Sequence, residues 1–228
     1  MLGQLSWERG RWGRGEAASL YGLPVFRVSA DPAGILKEYR LRRVGKKLRR
    51  GGVLRVLTPP DFGDWPILTA LGLRAVSPTP LVRFKADELA LAALERRNLD
   101  PARSTVALRG NRVDRDLERA ALELCPKVRR LIIDAPRGGA DLSDFLRREF
   151  GVPVLPPEEE GALSLTFSGK NSAGERTLAL WGDVPDLGTL TLSAPALRED
   201  HRTDLPLLNA LWQGGRLRAE WVKIVGIP

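Results

Sequence analysis

This chain is poor in the residues from which most active sites and covalent staples are made. It holds one cysteine, Cys125, and one histidine, His201, in 228 residues. A single thiol excludes an internal disulfide and any cysteine-based metal cluster. GxSxG, HExxH and paired-cysteine motifs are missing as well. No apolar run approaches the roughly 18–20 residues needed to cross a bilayer. The N-terminus, MLGQLSWERGRWGRG, has no apolar h-region, so no secretory signal is expected. Together these absences predict a cytoplasmic, bacterial-type protein.

What is present is an ordinary globular composition, 43% apolar and 28% charged, enough to bury a proper core. Its charge is unevenly spread. Residues 1–50 hold twelve Lys/Arg against four Asp/Glu, whereas residues 51–228 hold twenty-four of each. Residues 37–50, KEYRLRRVGKKLRR, alone carry +7 of the chain's +8. Of the 36 basic residues 29 are Arg, which points to a GC-rich coding bias as well as to anion binding.

Along the chain, strand and helix signals alternate. LGQLSW and LYGLPVFRVSA read as short strands around a Gly-rich turn. A helix is expected from Asp31-Pro32, with Asp as cap and Pro in the first turn, to the stop at Gly51-Gly52. VLRVLTP (53–59) and LRAVSP (73–78) read as strands around a short helix at 64–72. An amphipathic helix follows at 86–99, ended by Asp100-Pro101. The pattern then restarts: strand 104–110, helix 114–125, strand 128–136, helix 140–151 and strand 152–157. Residues 53–78 resemble residues 128–157 in their order of strand, Pro/Gly loop, helix, Gly and strand, with 23–32 standing where 104–114 stands in the second half.

Parallel strands need helix-length crossovers, so this alternation predicts an α/β fold. The expected architecture is a doubly wound, Rossmann-like, mostly parallel sheet made of two βαβαβ halves, approximately 20–80 and 104–157. Residues 1–157 form this core. Residues 158–228 form a small mixed α+β extension or subdomain: strands near 161–168, 176–182 and 188–195, with GKNSAGE (169–175) as a hairpin loop, then a helix at 205–215 and a strand at 216–226.

In a doubly wound sheet ligands bind outside the carboxyl ends of the strands where the order reverses. Those ends carry Asp31 in the first half and Arg109, Gly110, Asn111 and Arg112 in the second, beside helix N-termini that suit an anion. Gly110 with Asp134 at the end of the next strand resembles a dinucleotide-binding Rossmann unit, in which such an acid holds the ribose hydroxyls. GNRVDR departs from that pattern, with one glycine where three are expected. The resemblance implies a cofactor site at Asp31, Gly110, Asn111, Arg112 and Asp134; a plain strand-to-helix turn is the structural alternative, and the cofactor stays unknown.

Other features read as structural. GKNS (169–172) lacks the glycine a phosphate-binding P-loop needs at position 164. His201 lies in REDHRTD, which reads as exposed loop, and Cys125 as buried filler. The acids 158–160 solvate a turn.

The basic helix is the remaining candidate. Leu41, Val44 and Leu48 share one narrow face that packs on the sheet. Arg40, Arg42, Arg43, Lys46, Lys47, Arg49 and Arg50 cover about half the circumference, with Tyr39 among them, and WERGRWGRG (7–15) offers Arg and Trp beside it. A merely solvated face mixes signs; this one has a single acid, Glu38. The expectation is a non-catalytic binding module for an anionic partner, nucleic acid ahead of an acidic protein or a membrane surface. The alternative is a nucleotide- or phosphate-metabolite-dependent enzyme with its site near residues 29–31 and 109–112.

Overall fold

A computed structural model describes residues 1–8, 15–31, 36–60, 62–169 and 174–226. In chain order its elements are β1 (Leu2–Trp7), β2 (Gly15–Leu20), β3 (Leu23–Ala30), α1 (Lys37–Arg50), β4 (Arg55–Leu57), α2 (Trp65–Thr69), β5 (Arg74–Ala75), α3 (Thr79–Phe84) and α4 (Ala86–Arg96). They continue with β6 (Thr105–Arg109), α5 (Arg115–Leu124), β7 (Arg130–Asp134), α6 (Gly139–Phe150), β8 (Val154–Leu155), β9 (Leu163–Thr166), β10 (Thr177–Ala179), β11 (Leu190–Ser193), α7 (Leu205–Gln213) and β12 (Lys223–Gly226). The chain divides into two compact units, residues 1–77 with 196–221, and residues 78–195 with 222–228.

The α/β, mostly parallel, Rossmann-like class holds, and among the described residues the strands fall into two five-stranded sheets and the antiparallel pair β11–β12. The first has the order β2-β3-β1-β4-β5, antiparallel only at β2, and the second the order β10-β9-β6-β7-β8, parallel throughout. One continuous sheet is precluded by edge occupancy. The free side of β6 pairs with β9, in register from Val106↔Leu163 to Arg109↔Thr166, which leaves β6 no edge for the first half. The internal repeat is also shifted: β1, not β3, lies beside β4. β10 runs parallel to β9, from Ser164↔Thr177 to Thr166↔Ala179, which rules out the expected hairpin; residues 170–173 of that loop lie outside the described residues.

In the first unit, β2 and β3 join through Tyr21-Gly22, both at positive φ (50° and 79°), the geometry that a two-residue hairpin with twisted strands requires. α1 begins at Lys37, so Asp31 is not its cap; the Asp31 carboxylate instead lies 3.5 Å from the Arg40 guanidinium. Residues 32–35 lie outside the described residues. The far end of α1 closes in a Schellman turn, in which Gly52 (φ 74°) donates to the Arg49 carbonyl at 3.0 Å and Val53 to the Leu48 carbonyl at 3.1 Å.

The buried face of α1 is the one the spacing predicts, Leu41, Val44 and Leu48, with Gly45 between them. These side chains pack with Leu5, Val28, Ala30 and Val56 from one face of the sheet. A β-carbon at Gly45 would come within 2.5 Å of Leu71 Cδ1, so glycine there lets α1 approach that neighbour. α7, with buried Leu207, Leu208 and Leu211, serves the opposite face: Gly214 lies against Leu23, and Asn209 Nδ2 donates to the Ser77 carbonyl at 2.9 Å.

In the second unit β6-α5-β7-α6-β8 is a complete βαβαβ run. α3, which the sequence pattern does not announce, starts with Thr79-Pro80 and is too short at six residues to show a period. Its Arg83 bonds Asp114 at 3.2 Å and the carbonyl oxygens of Phe167 and Leu180, tying α3 to the start of α5 and the ends of β9 and β10. Among the described residues no helix is long and apolar enough to cross a membrane.

Candidate functional site

The exposed side of α1 carries Tyr39, Arg42, Arg43, Lys46, Arg49 and Arg50, while Arg40 and Lys47 are half-buried. Near its start the charge is partly neutralised: Lys37 pairs with Asp64 at 2.7 Å, Arg40 with Asp31, and Arg42 with Glu38 at 2.7 Å. From Arg43 to Arg50 the helix has no acid.

The Schellman turn then delivers the chain to β4, whose first residue Arg55 is the register partner of Arg74 on β5. Both arginines are exposed. The Arg49 guanidinium lies across Gly72, where a β-carbon would come within 3.7–3.9 Å of it. Arg49 and Arg50 thus end α1 on one face of the first sheet, whereas Arg55, in register with Leu2, belongs to the α7 face, where its Nη1 donates to Gln213 Oε1 at 3.4 Å, and Arg74 shares that face. By sequence the first unit holds eighteen Lys/Arg against ten Asp/Glu, and the second eighteen of each, so the whole net charge belongs to the first. Arg55 and Arg74 escape a sequence reading because they stand singly in an otherwise apolar pattern. Arg9, Arg11, Trp12 and Arg14 of the expected basic arm lie outside the described residues.

The residues of the expected cofactor site are held by their own neighbours. Arg109 Nη1 donates to Asp134 Oδ2 at 2.7 Å, an ion pair across two adjacent strand ends. Gly110 N–H donates to the Asp134 carbonyl at 2.9 Å, and Val113 N–H to the Arg137 carbonyl at 2.9 Å, so the two loops after β6 and β7 are laced together. Asp114 caps α5, accepting from Asp116 and Leu117 N–H at 3.1 and 3.0 Å. A carboxylate therefore sits where a helix N-terminus would receive a phosphate, and Arg83 pairs with it. Asn111 and Arg112 are exposed on the turn. Asp31 belongs to the first unit, with Arg40 as its partner.

A third location was hidden in the sequence. Gln4, Ser6, Thr58, Asp200, His201 and Asp204 are among the residues lining a cavity of about 290 Å³ at the carboxyl ends of β1 and β4. His201, read from REDHRTD as exposed loop, is only 27% exposed; it ends a 3-10 turn, Glu199–His201, and its ring meets Tyr21 edge-on. Its Nδ1 lies 2.8 Å from the Tyr21 hydroxyl, which also accepts the Arg198 N–H at 3.3 Å. Asp204 caps α7 through Oδ1, at 3.1 Å from Leu207 N, and burial pushes its carboxyl above the usual carboxylate range, against the Leu207 hydrogen bond and the nearby His201. Among the described residues no group of His, Cys, Asp and Glu is arranged to hold a metal ion.

No family model matches the chain, and no curated protein matches it. Solved structures similar at low level include the following two. One is an L-tryptophan dehydrogenase from Nostoc punctiforme, 16% identical with a TM-score of 0.32, matched over 64% of this chain and 44% of that one. The other is a shikimate 5-dehydrogenase-like protein, 12% identical with a TM-score of 0.27, matched over 74% of this chain and 66% of that one. Similarity of this size carries neither a family nor an activity to the chain.

Proposed function

We propose that the protein is a non-catalytic binding module that docks a nucleic-acid backbone on the basic face of its first unit. The observation that supports this reading is the one-signed exposed side of α1 from Arg43 to Arg50. A face that only has to stay wet mixes signs, because like charges in a row repel. From Tyr39 to Arg50 the helix rises about 16 Å at 1.5 Å per residue, which matches about five phosphates of one strand at 3.4 Å each. Tyr39, 60% exposed, offers a ring to an unpaired base beside the cations. A membrane is a poorer partner, since Leu41, Val44 and Leu48 are spent on the core. The expected cytoplasmic location goes with this reading.

The enzyme alternative would place a phosphate at the 109–112 turn, where Asp114 caps the helix and Asp134 is paired. No observation there favours it. The test is fluorescence anisotropy at low salt with a labelled DNA duplex and an RNA hairpin, comparing wild type with R42Q/R43Q/K46Q/R50Q. Wild type binds and the variant loses at least about tenfold in affinity, as expected when phosphate contacts carry binding. Equal binding by both, or none by either, overturns the reading.

A further inference from the structure

The two faces of the first sheet differ in a way that its core does not require. Alternate residues of a strand point to opposite faces, so Gly3, Leu5, Phe26, Val28 and Ala30 face α1 and are apolar. On the other face the amino-terminal half is apolar too, with Leu2, Leu23 and Val25. Its carboxyl-terminal half turns polar: Gln4 and Arg27 are register partners, as are Ser6 and Ser29. Arg27 Nε donates to Gln4 Oε1 at 2.9 Å, and the two serine hydroxyls lie 3.2 Å apart. A face that only had to be covered would stay apolar along its length, as the α1 side does. The change coincides with the cavity, at the carboxyl ends of parallel strands where α/β sheets receive ligands.

The charge of this cavity is opposite to that of its unit. Its charged lining residues are Asp200 and Asp204, with His201 between them. Among the described residues no Lys or Arg forms an ion pair with either carboxylate, although the unit holds eighteen basic residues. Asp204 uses one oxygen on the α7 cap. The Tyr21 hydroxyl accepts from Arg198 N–H and lies 2.8 Å from His201 Nδ1, which leaves Nε2 as the ring nitrogen turned away from Tyr21. That nitrogen lies 3.7 Å from Asp200 Oδ2, which orients the mouth of the cavity. Leu20, Leu57, Pro59 and Leu207 give the walls an apolar component.

We propose that this cavity binds a small organic cation, a primary amine with a short apolar body, with Asp204 as its buried counter-charge, Asp200 at the mouth, and Gln4 and Ser6 as polar contacts on the floor. A volume of about 290 Å³ suits a ligand at the small end of the usual range. The site lies on the sheet face opposite α1 and does not depend on nucleic-acid binding.

The test is ligand-observed NMR and thermal shift on the full chain with butylamine, 1,4-diaminobutane and phenylethylamine at millimolar concentration. Butanol and succinate serve as neutral and anionic controls. The amines bind and raise the unfolding midpoint, while the controls do not. D204N keeps the helix cap, because Asn caps as well as Asp, yet loses at least about tenfold in amine affinity, the loss of one charge-assisted contact. Tyr21→Phe, which frees the imidazole from its anchor, weakens amine binding severalfold. No shift with any amine, stronger binding of succinate, or unchanged amine affinity in a folded D204N would each overturn the proposal.

Discussion

Replacing Gly52 with alanine isolates the turn that joins the basic helix to β4. Gly52 sits at φ 74°, and nothing lies within 4 Å of where its β-carbon would be. Steric contact therefore contributes nothing, and the cost is that of an L-residue held in the left-handed region, about 1 kcal/mol after the smaller entropy of the unfolded alanine chain is counted. Gly52→Asn should cost less than Gly52→Ala, since Asn tolerates this conformation. Gly51→Ala is a useful contrast: its φ of −76° suits alanine, and its β-carbon would rest 3.2 Å from two Phe26 ring atoms. Urea unfolding followed by tryptophan fluorescence reports on the first unit, which contains Trp7, Trp65, Trp212 and Trp221. With a slope of roughly 1–3 kcal/mol per molar urea, Gly52→Ala lowers the midpoint by about 0.3–1 M. An unchanged midpoint, or Gly52→Asn as damaging as Gly52→Ala, refutes the assignment of a left-handed cap at this turn.

Three further outcomes follow from the same geometry. Arg83→Ala leaves Asp114 and the Phe167 and Leu180 carbonyls without their shared donor and destabilises by about 2–4 kcal/mol; Arg83→Lys recovers less than half, because an ammonium cannot reach in three directions at once. Full rescue by lysine in denaturant titrations contradicts this. Because burial holds the Asp204 carboxyl above its unfolded value, its favourable contribution is complete below the unfolded value near pH 4 and is lost as pH rises through the raised one. D204N is therefore more stable than wild type at pH 8, with the difference vanishing below about pH 4; thermal midpoints at the two pH values decide, and an equal shift at both is the contrary result. The Cys125 thiol is buried and pushed up by desolvation, so native protein reacts slowly with a thiol reagent at pH 8 and unfolded protein quickly. Fast native labelling contradicts it.

Much of the architecture is legible in the sequence because strand and helix periods differ. KEYRLRRVGKKLRR gives α1, its stop at Gly51-Gly52 and its buried Leu41, Val44 and Leu48 directly, but not its start, which the Asp31-Pro32 signal places too early. RLIID and RDLERAALEL give β7 and α5 in the same way. Sheet membership is less legible. Nothing local tells β6 to pair with β9, since pairing is a long-range choice among strands that all read alike. β9 and β10 read as a hairpin because a loop of seven residues between strands usually makes one, and parallel pairing across it has no short-range signal.

The candidate sites divide in the same way. The charge of α1 is contiguous and visible. Arg55 and Arg74 come together only through β4–β5 pairing. His201 looks like loop because REDHRTD is charged, and its burial depends on Tyr21, 180 residues earlier. The polar positions Gln4, Ser6, Arg27 and Ser29 were open to inspection, but their meaning requires knowing that β1 and β3 are neighbours in register.

The central claim is that the first unit meets nucleic acid through the exposed side of α1, and the salt dependence of binding tests it most directly. If five cations of this face each neutralise a phosphate, log K against log salt has a slope of about −4.5 on a duplex, so affinity falls roughly 500-fold between 50 and 200 mM salt. With Arg42, Arg43, Lys46 and Arg50 replaced by Gln, the slope flattens to about −1 and the loss to roughly fourfold. Parallel slopes for the two proteins, or a wild-type slope no steeper than the variant's, would contradict the account.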